Sequence, residues 1–128
     1  FFDNPKLGLP SLNGLMVLFS ARTGIVEGVL LDNGYLTDVR TAAAGAVAAK
    51  WLSREDARTA GIVGTGTQAR LQLKALSLKK AVVWSRDEAK AKQYARELSD
   101  ELTLEIEVAS SLDALMAEAD IIVTTTPS

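Results

Sequence analysis

The stretch Ala60-Gly61-Ile62-Val63-Gly64-Thr65-Gly66-Thr67-Gln68-Ala69 decides how this chain is read. A short apolar run ends in Gly-x-Gly-x-x-Ala and passes directly into a helical pattern. A strand turns into a helix this way around a dinucleotide pyrophosphate. Gly64 permits a tight turn that a Cβ would obstruct. Gly66 lets phosphates approach the backbone. Ala69 replaces a third glycine and lets the helix pack on its strand. The N–H groups and positive dipole end of that helix then face an anion. Thr65, Thr67 and Gln68 complete the loop and the first helical turn. The stretch points to a nicotinamide or flavin cofactor and to redox chemistry. A Rossmann-type domain for another adenosyl ligand, such as S-adenosylmethionine, is the alternative.

Working outward in the C-terminal direction, strand and helix patterns alternate. Ile62-Val63 opens the series as a strand. A helix over residues 67–78 places Leu71, Ala75 and Leu78 on one face. Ala81-Val82-Val83-Trp84 is a second strand, and residues 87–102 form a helix with Ala91, Ala95 and Leu98 near helical spacing. Residues 104–108 give a third strand, 112–119 a short helix and 120–125 a fourth strand. Repeated βαβ units predict a doubly wound parallel sheet. The connection between Leu78 and Ala81 holds only Lys79 and Lys80, at the tight end of the usual range.

The strand ends supply further candidates. An acid after the second strand bonds a ribose 2′-hydroxyl, whereas an Arg there accommodates a 2′-phosphate. The chain reads Trp84-Ser85-Arg86-Asp87. Ser85 and Arg86 suit a 2′-phosphate, which tips the reading of NAD(P) toward NADP. Asp87 competes, either by holding the ribose of NAD or by opening the next helix, where an acid suits the dipole. Ser110, after the third strand, falls where an adenine edge lies. Thr125 and Thr126, in Thr124-Thr125-Thr126-Pro127-Ser128, fall near the nicotinamide ribose. A plainer reading of both threonines is that β-branched residues suit a strand.

Toward the N-terminus the pattern changes. Residues 15–21 form a nearly continuous apolar run, read as a buried strand. Arg22-Thr23-Gly24 is a turn and residues 25–31 a partner strand, together a hairpin. After Asp32-Asn33-Gly34, an Ala-rich helix runs from Thr37 to Leu52, capped by Thr37 or Asp38. Its lack of bulk predicts close packing against a neighbouring backbone. Arg40 is expected in its first turn, where the dipole disfavours a cation. An anion such as a substrate carboxylate, shared by Arg40 and the helix end, would account for it. So would a solvated Arg or an ion pair with Asp38.

Bulk properties narrow the class. The 128 residues are 48% hydrophobic and 23% charged, with a net charge of −2. Nothing there recommends nucleic acid or an anionic membrane as partner. Cysteine and histidine are both absent, which excludes disulfide, thiolate and imidazole chemistry in this segment. No apolar run approaches the roughly 20 residues that span a bilayer. No signal peptide is visible, so a cytoplasmic location is expected. A start at Phe1-Phe2 and an end near a strand edge suggest a piece of a longer protein.

The motifs Leu36-Thr37-Asp38-Val39-Arg40-Thr41-Ala42-Ala43-Ala44 and Gly61-Ile62-Val63-Gly64-Thr65-Gly66-Thr67-Gln68-Ala69, at this separation, resemble the ornithine cyclodeaminase/μ-crystallin family. The start, Asn4-Pro5-Lys6-Leu7-Gly8-Leu9-Pro10-Ser11-Leu12-Asn13-Gly14, and Asp32-Asn33-Gly34-Tyr35 look closest to its ectoine-utilization branch. The resemblance implies part of an antiparallel-sheet substrate and dimerisation domain over residues 1–57. A Rossmann domain for NAD(P) would then occupy 58–128. It implies a homodimer acting at the Cα–N bond of a small amino or imino acid. In cyclodeamination, hydride leaves Cα, a side-chain amine attacks the imine, ammonia departs and the hydride returns. The family's carboxylate-binding arginine falls on Arg40. Its catalytic lysine and aspartate fall outside this segment, so the catalytic residues are unknown here.

Overall fold

The computed structural model describes residues 3–126. Its contacts divide the chain into two compact units, residues 1–40 and 41–128.

The first unit is a ribbon. After a short 3-10 turn over Asn4–Leu7, β1 (Met16–Phe19) pairs antiparallel with β2 (Val26–Leu30), placing Met16 opposite Leu30 and Val17 opposite Val29. The register shifts between Leu18 and Phe19. Gly24, at φ 71°, turns the chain, and Ser20 and Ile25 close the turn through a 2.9 Å backbone bond. The connection is therefore longer than the three residues expected. The expected buried strand is also overturned. Phe19 is 57% exposed and the rest of β1 is exposed with it. A two-stranded ribbon has only a single partner strand and no packed layer on either side, so apolar composition alone cannot bury it.

The helix α1 (Tyr35–Leu52) starts before the expected Thr37. The Asp32 carboxylate accepts the Leu36 N–H at 2.6 Å, so Asp32 does the capping assigned to Thr37 or Asp38. Asn33 and Gly34, at φ 51° and 90°, turn the chain into it. Arg40 is consequently the sixth helical residue, beyond the first turn in which a dipole penalty was expected.

The second unit alternates β3 (Thr59–Val63), α2 (Thr67–Leu76), β4 (Lys80–Trp84), α3 (Glu88–Leu102), β5 (Glu105–Val108), α4 (Leu112–Glu118) and β6 (Ile121–Thr124). The four strands lie in the order β5-β4-β3-β6, all parallel. Counted from β3, this is the 3-2-1-4 order of the doubly wound half. Alternation along the strands makes two faces. Ala60, Ile62, Ala81 and Val83 meet Ala69 and Leu73 of α2 and Ala91, Tyr94, Ala95 and Leu98 of α3. Val63 and Val82 meet Leu115 of α4 on the other. Gly61 faces α4, and a Cβ there would come within 2.6 Å of Ala119 Cβ, so α4 sits closer than any larger residue permits.

The buried side of α2 is Ala69, Gln72 and Leu73, rotated from the expected Leu71, Ala75 and Leu78. The short connection is explained by an earlier helix end. Ser77 adopts φ 51° and stops α2, and the amides of Lys79 and Lys80 both reach the Arg58 carbonyl at 3.2 Å. The part of α1 in this unit packs on α2, though not backbone to backbone. Gln72 donates its side-chain N–H to the Thr41 carbonyl at 3.1 Å, and its carboxamide fills the space a Cβ at Gly45 would need.

Candidate nucleotide-binding site

Three helices follow strands at the carboxyl edge of the sheet, and their first turns differ. At the end of β3, Gly64 takes φ 114°, and its N–H donates to the Trp84 carbonyl at 2.9 Å. A Cβ there would lie 2.7 Å from Thr125 Oγ1 and 3.3 Å from the Thr125 carbonyl oxygen, so both conformation and space require glycine. Thr125 is itself fixed. Its N–H and its hydroxyl both donate to the Val63 carbonyl, at 2.9 and 3.1 Å. Gly66 is the N-cap of α2, with extended backbone and no side chain to bond the first-turn amides. A Cβ at Gly66 would meet nothing within 4 Å.

In front of this loop lies a cleft of about 240 Å³. Gly64, Thr65, Gly66, Ser85, Arg86, Asp87, Lys90, Thr125 and Thr126 line it. Seven sequence-selected residues thus meet at one place, where the strand order reverses between β3 and β6. A second hollow of about 460 Å³ shares Ser85 and Arg86 and extends past Trp84 and Val108 to Ala109 and Ser110. Ser110 is therefore beside the first group. In this hollow Lys92 holds the Glu88 carboxyl below its usual range through a 2.6 Å ion pair.

Thr67, Gln68 and Ala69 begin α2 but do not line the cleft. Ala69 is fully buried, and its carbonyl accepts the Tyr94 hydroxyl at 2.8 Å, which fits its packing role. Burial pushes the Tyr94 phenol well above its ordinary pKa. Arg40 belongs to the first unit and is exposed. Asp87 opens α3, its Oδ1 accepting the Lys90 N–H at 3.2 Å. Its own N–H donates to Ser85 Oγ at 3.3 Å, leaving the Ser85 hydroxyl proton available to a ligand. Lys90 was not foreseen. The signal was available, since it sits one turn into a helix that opens directly after Arg86.

The donor set fits a dinucleotide. Open space lies in front of Gly66, no side chain caps α2, and a hydroxyl with two cations stands where a ribose and its substituent would reach. Among the described residues no cluster of acids could hold a metal ion, and no helix is long and apolar enough to cross a membrane.

The sheet order and the glycine turn are those of one half of a doubly wound α/β protein. The sequence profile of the ornithine cyclodeaminase/mu-crystallin family matches residues 1–128, and the chain belongs to that family. It is 58% identical over its whole length to a Rhizobium meliloti (strain 1021) protein described as a dehydrogenase, covering 40% of that protein. It is 36% identical to Delta(1)-pyrroline-2-carboxylate reductase of Thermococcus litoralis, solved with NADH and L-proline. There the TM-score is 0.82, over 97% of this chain and 39% of that one. An archaeal alanine dehydrogenase dimer with bound NAD gives 35% identity and a TM-score of 0.84, over 98% of this chain and 39% of that one. The chain thus spans about 40% of the length of curated relatives it matches.

Proposed function

We propose that this chain is the nucleotide-binding part of an NAD(P)-dependent enzyme acting at the Cα of a small amino or imino acid. The reaction is imino-acid reduction, amino-acid oxidation or cyclodeamination. The observation that carries this reading is the cleft in which Gly64 and Gly66 meet Ser85, Arg86 and Thr125. A bound nicotinamide would supply or take up hydride at the substrate Cα. The residues of this chain bind and orient. The amides of α2 face the pyrophosphate, Thr125 and Thr126 flank the ribose near the switch point, and Ser110 flanks the adenine side. Ser85 and Arg86 favour NADP over NAD. Arg40 holds the substrate carboxylate by a charge-assisted pair. The whole protein acts as a cytoplasmic homodimer, with the exposed apolar ribbon of β1 and β2 as part of its covered surface. Its place is in amino-acid or ectoine catabolism.

The test is a substrate screen on the full-length protein, following nicotinamide absorbance with ornithine, diaminobutyrate derivatives, alanine and cyclic imines. Turnover of one of these classes is expected. Tight cofactor binding without turnover would instead favour a crystallin-like binding protein. Arg40→Ala should raise KM for the carboxylate substrate with cofactor affinity unchanged, and an unaltered KM removes Arg40 from the site. NAD binding tighter than NADP by more than about tenfold overturns the cofactor preference.

A further inference from the structure

We propose that Lys90, paired with Asp87, is the residue that selects between the two nicotinamide cofactors. This rests on the reading of the cleft given above. Lys90 lines the same cleft as Gly66, Ser85 and Arg86. Its Nζ stands 3.6 Å from Asp87 Oδ2, and its side chain is 70% exposed. At that distance the pair is loose, beyond hydrogen-bond length, and cheaply released. The other Asp87 oxygen, Oδ1, is held by the Lys90 backbone N–H. The two carboxylate oxygens therefore have separate tasks. Oδ1 fixes the start of α3, and Oδ2 has the loosely held Lys90 ammonium against it.

The two cofactors ask for opposite chemistry at this point. A ribose 2′-hydroxyl needs an acceptor, and Asp87 Oδ2 supplies one while Lys90 keeps the carboxylate neutralised. A 2′-phosphate needs donors and positive charge. Ser85 Oγ offers its proton, Arg86 offers its guanidinium, and Lys90 exchanges Asp87 for the phosphate. Without Lys90 the Asp87 charge would face the phosphate uncompensated. The pair thus has two positions, one for each cofactor, and Lys90 tips the balance toward the phosphorylated one.

Fluorescence titration of the full-length protein with NADPH and with NADH tests this. Lys90→Met should weaken NADPH binding by about tenfold or more, the usual weight of a charge-assisted bond, and leave NADH within about twofold. Asp87→Asn keeps the cap on α3, because Asn caps as well as Asp. It should raise NADPH affinity relative to NADH. The NADPH advantage should also shrink with added salt in wild type and less so in Lys90→Met. Equal losses for both cofactors in Lys90→Met, or unchanged NADPH binding, overturn the assignment of Lys90. Wild-type protein that binds neither cofactor overturns the reading of the cleft, and this inference falls with it. The first failure is seen in the affinity ratio, the second in binding itself.

Discussion

The two edges of the parallel sheet are built in opposite ways. At the amino edge the strand starts are tied together. Asp120, just before β6, accepts the amides of Arg58 and Thr59 at 2.9 and 3.0 Å, pairs with Arg54, and donates its own N–H to the Thr59 carbonyl. Lys80, opening β4, pairs with Glu107 at 2.8 Å and Glu118 at 2.6 Å. These bonds hold the Lys80 ammonium above, and the Glu107 carboxyl below, their ordinary ranges. At the carboxyl edge, α3 and α4 are capped by Asp87 and Ser111, while α2 opens on Gly66 with no side-chain cap. One edge bonds its polar groups within the chain, and at the other the first-turn amides of α2 have no side-chain cap. The first edge is closed by bonds within the chain, and the second is where ligands lie in open α/β sheets.

Substitutions at each edge test this division. The largest effect is expected at Gly64. Gly64→Val forces a branched side chain to φ 114° against Thr125. It should cost about 1–3 kcal/mol in strain alone and abolish cofactor binding. Denaturant unfolding and fluorescence titration read the two losses, and a stable variant that binds normally would break the comparison.

Asp120→Ala should act the other way, lowering stability without touching cofactor affinity. Its pH dependence has a definite sign. Two backbone amides hold the Asp120 carboxyl below its ordinary value of 3.8. Its contribution is therefore complete above that value and fades as pH falls through the lower folded one. The gap in unfolding midpoint between wild type and variant should be full near neutrality and close in acid. A gap that widens in acid would contradict the bonding described.

The caps come next. Asp87→Ala and Ser111→Ala should each cost about 1 kcal/mol, measured by thermal unfolding. Smallest in stability is Gly66→Ser, which adds the missing cap in open space and should gain only a few tenths of a kcal/mol. That variant sharpens the comparison most, because the same hydroxyl occupies the amides meant for phosphate and should weaken binding. Improved stability with undiminished affinity would mean that those amides do not serve the ligand.

The carboxyl edge was largely legible in the sequence, and the amino edge was not. Gly64, Gly66, Ser85 and Arg86 are read from local rules, since turn geometry and strand ends depend on neighbouring residues. All four line one cleft. Asp120 and Lys80 act across long separations, Asp120 reaching Arg58 over 62 positions, and no local pattern reports such bonds. The start of α1 lies ahead of the expected Thr37 for a related reason. Asp32 reaches forward to Leu36 across a turn, so the helix begins before the first plain capping residue, and Arg40 moves away from the helix end. The hairpin was legible as pairing but not as burial, because burial depends on a layer that two strands do not provide. The hydroxyl of Tyr94 disguises a fully buried core position. Its partner is the carbonyl of Ala69, which no residue pattern reveals.

One small feature sets the registry of the α1 segment within the second unit. The segment of α1 beyond Thr41 is nearly smooth, a run of Ala side chains that offers neighbouring elements little shape to grip. Smooth cylinders slide and rotate. Gln72 prevents this as a key does in a lock, its head seated in the notch at Gly45 and its N–H fastened to the Thr41 carbonyl one turn earlier. A shift of that notch by one residue would turn the helix by about 100° before the key could enter again. The axial setting of that segment against α2 is therefore encoded by one missing side chain and one amide. The Gln72 head rather than a close approach of backbones makes this contact, and Gly45 fixes where along the helix it occurs.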